Sequence, residues 1–179
     1  MLVRAALAMD EDSATLMERA AGGDEAAFAT VVAEHQEAIA RFCARFLGDE
    51  ALAADLTQEV FISAWNDRAR YRERGRLRTY LLRIARNRCL AAARKRSSRA
   101  RLRNRWQLPE RRESGEPSEA RNIDRALGTL RPAYRELVVL RYLEELEISE
   151  IAEVTTLKVG TVKSRLSRAL TALRKVLDD

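Results

Sequence analysis

The chain has 179 residues, of which 46% are apolar and 34% are charged, which is enough apolar material for one ordinary domain or two small ones. Its net charge of +6 suggests a polyanionic partner. Two cysteines, one histidine and the lack of a run of eighteen apolar residues exclude a four-ligand zinc site and membrane insertion, so we expect a cytoplasmic protein without metal or cofactor.

The N-terminal part predicts helices separated by glycines and loops. Glycine and proline are rare beside Ala, Leu, Arg and Glu, and this composition predicts an all-α fold. Asp24 is a good N-cap for a long helix, and Gly48 is placed to end it. Residues 70–75 are predicted to form a loop, and the other predicted helices here are Asp12–Ala21, Asp49–Asn66 and Leu77–Lys95.

The segment Ser98–Arg121 combines Pro109, Gly115 and Pro117 with dense charge and few apolar residues. Such a segment cannot bury enough surface to offset its ordering entropy, so we predict a flexible linker. The chain then divides into an N-terminal segment (1–23), a small helical domain (24–97), the linker (98–121) and a second small helical domain (122–179).

The second domain is predicted to end in a short helix, a tight turn and a long helix. Pro132 is placed to begin a helix that continues to about Glu145. The other predicted helices here are Ile123–Leu130, Ser149–Val154 and Val159–Leu177. A short helix, a turn and a long helix at the end of a basic chain indicate a helix-turn-helix.

Charge is segregated along the chain. Between Asp49 and Glu59 there are four acidic residues and no basic one, whereas from Arg68 to Arg105 the basic residues are opposed only by Glu73. Two binding faces of opposite sign would explain this pattern, and ordinary solvated helix surface is the alternative.

The acidic helix carries two stripes of side chains. One is apolar with a spacing of four and predicts a buried face, made of Leu52, Leu56, Val60 and Ala64. The second mixes acidic or polar groups with Ile62 and Trp65, which a small monomer has little reason to expose unless a partner covers them. The alternative is that Phe61, Ile62 and Trp65 complete the core, and we expect this of Phe61 first.

The last helix also has two faces. Its apolar face is predicted to contain Val159, Val162, Leu166, Leu170 and Leu173. The opposite face contains Thr161, Ser164, Arg168, Thr171 and Lys175, with Arg165 and Ser167 at its sides, and no acidic residue occurs between Lys158 and Lys175. Guanidinium and hydroxyl groups suit a DNA major groove, and a solvated helix face is the alternative.

Three stretches of this sequence resemble the sequences of a known protein family. DLTQEVFISAW (Asp55–Trp65) and LRTYLLRIARNRCL (Leu77–Leu90) resemble region 2 of the small extracytoplasmic-function sigma factors. The later stretch SEIAEVTTLKVGTVKSRLSRALTALRKVL resembles their region 4, although by itself it also resembles output domains of response and quorum regulators. Two motifs in this order, separated by a linker, favour the sigma factors. The resemblance implies a protein that directs RNA polymerase to promoters under the control of an anti-sigma factor.

The resemblance and the helix faces together give three sets of expected contacts. Core RNA polymerase, through the coiled coil of the β′ clamp, is expected to contact Asp55, Gln58, Glu59, Ile62 and Trp65. The minus-ten promoter element is expected to contact Tyr71, Arg78, Arg83 and Asn87, whereas Tyr80 is expected in the core. The minus-thirty-five element is expected to contact Lys158, Thr161, Lys163, Ser164, Arg165, Ser167 and Arg168.

The turn departs from the family pattern at two positions. Thr156 replaces a common Gly, and Lys158 replaces a Ser that would cap the last helix. Lys is poorly placed against the helix dipole at an N-terminus, and a DNA phosphate beside it would reverse that penalty.

Two other classes of protein are alternatives to this interpretation. Asp55 and Glu59, at i and i+4, could bind a metal in a nuclease, but the sequence has no third ligand beside them, no nucleophile–base pair and no glycine-rich phosphate loop. A DNA-binding regulator that works without polymerase would need a ligand pocket or a phospho-acceptor Asp at a strand end, and the sequence predicts no strands. We therefore expect a sigma factor and no enzyme.

Overall fold

The computed structural model describes residues 15–71, 76–103 and 119–177. All regular structure in these ranges is helical, which confirms the all-α prediction. The helices are α1 (15–21), α2 (Glu25–Leu47), α3 (Glu50–Asn66), α4 (Leu77–Arg103), α5 (Glu119–Thr129), α6 (Pro132–Val138), α7 (Ile148–Thr155) and α8 (Val159–Leu177). A short 3-10 turn at Arg68–Arg70 follows α3, and a π turn at Val139–Leu143 continues α6.

The N-terminal bundle consists of α1 to α4, and within it α2 and α3 begin and end where the sequence predicts. The Asp24 carboxylate accepts a hydrogen bond from the Ala27 amide at 2.9 Å, and the Asp49 carboxylate accepts one from the Leu52 amide at 3.1 Å. Each carboxylate satisfies an amide that the first turn of a helix leaves without a partner. Gly48 ends α2 in the left-handed conformation.

The core of this bundle is closed to solvent. Its largest fully buried side chains are Met17, Val31, Ile39, Phe42, Leu77, Leu81 and Leu82. Cys43 and Cys89 are also fully buried with free thiols, as expected for cysteines that pack as small apolar residues. His35 is only 9% exposed, and burial lowers the pKa of its imidazole because the charged form loses hydration.

The C-terminal bundle consists of α5 to α8. Leu137, Leu140, Ile151 and Val162 are fully buried in it. A reciprocal capping box starts α7, in which the Glu147 amide donates to the Glu150 carboxylate at 2.7 Å. Thr156 ends α7 with φ +57°, in the left-handed region, and α8 begins two residues after Leu157. Helix, tight turn and helix follow one another here as predicted.

Three predicted boundaries were wrong. Helix α4 continues to Arg103 and α5 begins at Glu119, so helices occupy both ends of the predicted linker. The physical reason is that Arg, Ala and Leu are good helix formers even where charge is dense. Residues 104–118, the rest of that segment, lie outside the described residues. The helix predicted from Pro132 to Glu145 changes to a π turn at Val139, and this wider turn ends with Glu144 buried and Glu145 at φ +54°.

The two bundles pack against each other. Helix α4 contacts α7, and α2 contacts the π turn and α6. Polar bonds also join them, among which Arg135 Nη1 donates to the Phe46 carbonyl at 3.3 Å. Among the helices in the described ranges, none is both long and apolar enough to span a bilayer.

Candidate functional surfaces

The acidic face of α3 is formed by Asp55, Gln58, Glu59 and Ile62, which follow one another at i, i+3, i+4 and i+7. All four side chains are exposed, and Ile62 is 59% exposed. The buried face lies opposite: Leu56, Val60 and Ala64 are buried and Leu52 is half-buried. Phe61 is buried too, which confirms its assignment to the core.

Trp65 belongs to the same stripe but is partly covered. Its ring lies 5.0 Å from the Phe28 ring, and the Arg68 guanidinium lies 3.8 Å from its centroid. Arg68 also donates to the carbonyls of Trp65 and Ala20, at 2.8 and 3.1 Å. Trp65 is therefore held at the edge of the acidic face and offers only part of its surface to a partner.

Arg88 joins the acidic face to α4, a contact that sequence reasoning missed. Its guanidinium donates to the Glu59 carboxylate at 3.3 Å and to the Ser63 hydroxyl at 2.5 Å. Farther along, Arg96 donates to Asp49 at 3.2 Å. The complementary charges of the two helices were visible in the sequence, but their pairing across 29 and 47 residues was not.

The residues expected at the minus-ten element divide into two groups. Arg83 and Asn87 are exposed one helical turn apart on α4. Tyr71 is half-buried, with its ring 5.1 Å from that of Tyr80, which is itself half-buried rather than fully in the core. Arg78 is also half-buried, because it pairs with Glu144 of the C-terminal bundle at 2.5 Å. The structure therefore leaves Arg83 and Asn87 open and holds Tyr71 and Arg78 in contacts.

The basic face of α8 is the set of residues expected at the minus-thirty-five element. Five of them are exposed, namely Lys158, Lys163, Ser164, Ser167 and Arg168, while Thr161 and Arg165 are half-buried. The Ser164 hydroxyl donates to the Thr161 carbonyl at 3.1 Å, and its oxygen can still accept from a ligand. One helix thus presents cations and hydroxyl groups together, which suits a DNA groove.

Val159 of α8 lies elsewhere than predicted. It was expected on the apolar face but is 45% exposed, because it is the first residue of the helix and the buried face begins at Val162. Lys163 follows the buried Val162 and is exposed.

Metal ligation by the acidic face finds no support. In the described part of the chain, His, Cys, Asp and Glu side chains form no cluster of three or more that could hold a metal ion. Asp55 and Glu59 have no third ligand beside them in these residues.

Comparison with known proteins identifies two family regions. Residues 31–99 match the family described as Sigma-70 region 2, and residues 120–173 match Sigma-70, region 4. Among curated relatives, ECF RNA polymerase sigma factor SigW of Bacillus subtilis (strain 168) is 32% identical, over 88% of this chain and 92% of the relative. ECF RNA polymerase sigma factor SigC of Mycobacterium tuberculosis (strain CDC 1551 / Oshkosh) is 33% identical, over 94% and 93%.

Solved structures have the same fold. CnrH, in complex with the cytosolic domain of CnrY, matches with a TM-score of 0.72 and 26% identity, over 93% of this chain and 97% of that one. The sigma factor RpoE of Bartonella quintana, in complex with the anti-sigma factor NepR, has a TM-score of 0.73 at 22% identity, over 84% and 96%. Together, the two regions in order, the relatives matched along nearly their whole length and the shared fold show that the chain belongs to the extracytoplasmic-function RNA polymerase sigma factors, which are transcription initiation factors and not enzymes.

Proposed function

We propose that the acidic face of α3 docks on core RNA polymerase, at the basic coiled coil of the β′ clamp. The observation that carries the proposal is Ile62, an exposed isoleucine flanked by the exposed carboxylates Asp55 and Glu59. An apolar side chain inside an acidic strip suits a partner that supplies cations around an apolar patch. Trp65 extends the apolar part at the edge of this strip.

Promoter DNA is then contacted by the two cationic surfaces. Arg83 and Asn87 are open for the minus-ten element, and Tyr71 and Arg78 join them once their present contacts are released. The basic face of α8 binds the minus-thirty-five element, where Arg168 can contact a guanine and Lys158 a phosphate. The tight turn before α8 supports this role, because it holds the helix as a helix-turn-helix does.

An anti-sigma factor is the regulatory partner that we propose. RpoE of Bartonella quintana, which shares the fold, was solved with the anti-sigma factor NepR, and CnrH was solved with the cytosolic domain of CnrY. We also propose that the protein acts in the cytoplasm, because RNA polymerase and the chromosome are there.

Transcription reconstituted with core polymerase tests the proposal. Asp55→Lys combined with Glu59→Lys should weaken binding to core at least tenfold, because both charges would face a basic partner. Glu18→Lys, an exposed acid on α1, is the control for nonspecific charge and should leave binding unchanged. Both variants should unfold at nearly the temperature of the unchanged protein, since all three side chains are exposed.

Charge reversals that leave association with core intact would contradict the docking surface. An alternative function, DNA binding without polymerase, predicts instead that the protein alone protects promoter DNA in a footprint. Protection only in the presence of core would support the sigma factor mechanism described here.

A further inference from the structure

We propose that Arg88 of α4 is an intramolecular competitor at the acidic face of α3. Its guanidinium contacts the Glu59 carboxylate to which a cation of core RNA polymerase would bind, and it thereby lowers the affinity of the protein for core. This inference rests on the proposed docking of the acidic face on core polymerase. It goes further because it assigns a role in that docking to a residue of the neighbouring helix.

Arg88 is held beside the acidic face by two bonds from its guanidinium to α3. Nη1 donates to Glu59 Oε2 at 3.3 Å, and Nη2 donates to the Ser63 hydroxyl oxygen at 2.5 Å. The bonded residues are 29 and 25 positions apart in sequence, so both bonds depend on the packing of α4 against α3. The packing of the two helices therefore fixes a positive charge next to the carboxylate of Glu59.

The two bonds of Arg88 differ in length. Hydrogen bonds between an ionised nitrogen donor and a carboxylate are usually about 2.7–2.9 Å long. The contact with Glu59 is therefore loose, and the bond to Ser63 is the firmer one. A carboxylate can accept several donors on its two oxygens, so Glu59 can bind a second cation while Ser63 keeps Arg88 nearby.

The ion pair lies where a partner can reach it. The side chains of Arg88 and Glu59 are 45% and 50% exposed. An exposed ion pair contributes little to stability, because water hydrates both groups and salt screens them. Its effect on binding is larger, since a cation that approaches Glu59 meets the like charge of Arg88, and like charges side by side in an interface lower affinity.

Two other arginines that contact α3 are placed differently. Arg68 lies over the Trp65 ring and donates to two carbonyl oxygens. Arg96 donates to Asp49, the N-cap of α3, at 3.2 Å. It follows Arg88 by eight residues, or about 12 Å along the helix, which exceeds the screening length of about 8 Å at physiological salt. Arg96 is therefore a matched control for the charge of Arg88.

Competition for core RNA polymerase against a fluorescently labelled copy of the unchanged protein tests the inference. Arg88→Ala should bind core about threefold more tightly, because it removes the competing charge. Arg88→Glu should bind about tenfold more tightly, whereas Arg88→Lys keeps the charge and should bind as the unchanged protein does. Arg96→Ala and Arg96→Glu make the same charge changes outside the acidic face and should leave the affinity unchanged.

A double-mutant cycle shows whether Arg88 acts through Glu59. Glu59→Gln removes the carboxylate for which Arg88 and core compete, so adding Arg88→Ala to it should change the affinity less than Arg88→Ala does alone. Raising the salt concentration from about 0.1 M to about 0.5 M should also reduce the gain of Arg88→Ala, because salt screens the repulsion. A gain of the same size with and without Glu59 would overturn the competition.

Other outcomes also decide the question. Weaker or unchanged binding by Arg88→Ala would overturn the inference, and so would equal gains from Arg88→Ala and Arg96→Ala. The substituted side chains are all exposed, so each variant should unfold within a few degrees of the unchanged protein. If the acidic face is not the docking surface, Glu59→Gln alone will not weaken binding to core. If only the competition is wrong, Glu59→Gln will weaken binding and Arg88→Ala will not tighten it.

Discussion

Thr156 is a β-branched residue in the left-handed conformation, and replacing it with glycine should stabilise the protein. Its φ of +57° and ψ of +27° cost a residue with a Cβ about 1–2 kcal/mol relative to glycine. Glycine loses about 0.5–1 kcal/mol more backbone entropy on folding, and the bond from the Thr156 hydroxyl to the Thr155 carbonyl is lost. The net expectation for Thr156→Gly is a gain of about 0.5 kcal/mol.

Gly48 provides the matched reverse substitution. It ends α2 at φ +65° and ψ +33°, and an added Cβ would meet nothing within 4 Å. Gly48→Thr should therefore lose about 1 kcal/mol from the backbone conformation alone, without a steric clash. The backbone geometry is nearly the same at positions 48 and 156. We therefore expect the two substitutions to change the free energy of unfolding in opposite directions.

Thermal unfolding followed by circular dichroism measures both variants. In a chain of this size a change of 1 kcal/mol moves the midpoint by about 2–4 °C, so Thr156→Gly should raise it by about 1–2 °C and Gly48→Thr should lower it by about 3 °C. If Thr156→Gly lowers the midpoint as Gly48→Thr does, the left-handed threonine is not a source of strain and the reasoning is refuted.

Three further predictions concern single residues. Arg168→Ala should weaken holoenzyme binding at the minus-thirty-five element by about 1–3 kcal/mol in a gel-shift titration and leave core binding unchanged; weakened core binding would contradict it. Lys158→Ser should stabilise the free protein by on the order of 1 kcal/mol and weaken binding to the same element, and tighter binding would refute a phosphate contact. Burial lowers the pKa of His35, so the unfolded chain takes up a proton first and stability falls as the pH drops through about 6.5. In His35→Leu the unfolding midpoint should fall less between pH 7 and pH 5 than in the unchanged protein. Glu136 and Glu144 titrate in both proteins, so an equal fall in both would contradict the contribution of His35.

Much of the fold could be predicted because its determinants are local. The Asp24 and Asp49 caps, the glycine at position 48 and the proline at position 132 act within one helical turn, and helices begin or end there as expected. The π turn at Val139–Leu143 could not be predicted in this way. Its wider hydrogen bonding does not follow from helix propensity, and it occurs where Glu144 meets an arginine of another helix.

The candidate surfaces were predictable where one helix carries the whole pattern. The exposed acidic face of α3 and the exposed hydroxyl groups and cations of α8 follow from periodicity alone. The ion pairs of Arg86 with Glu136 and of Arg78 with Glu144 were missed because they span 50 and 66 residues. A signal was present: Glu136 stands next to the buried run Leu137–Leu140, where a carboxylate requires a partner.

The burial of the two native thiols has a practical consequence for labelling this protein with fluorescent dyes. Cys43 and Cys89 lie side by side, and hydrogen bonding to Cys43, together with burial, raises the pKa of the Cys89 thiol. Neither sulfur is open to a reagent in the folded bundle, so a maleimide dye attached to a cysteine introduced on α3 or α8 needs no prior removal of the native pair. The rate at which the native pair is slowly labelled would then report the rate at which the N-terminal bundle opens.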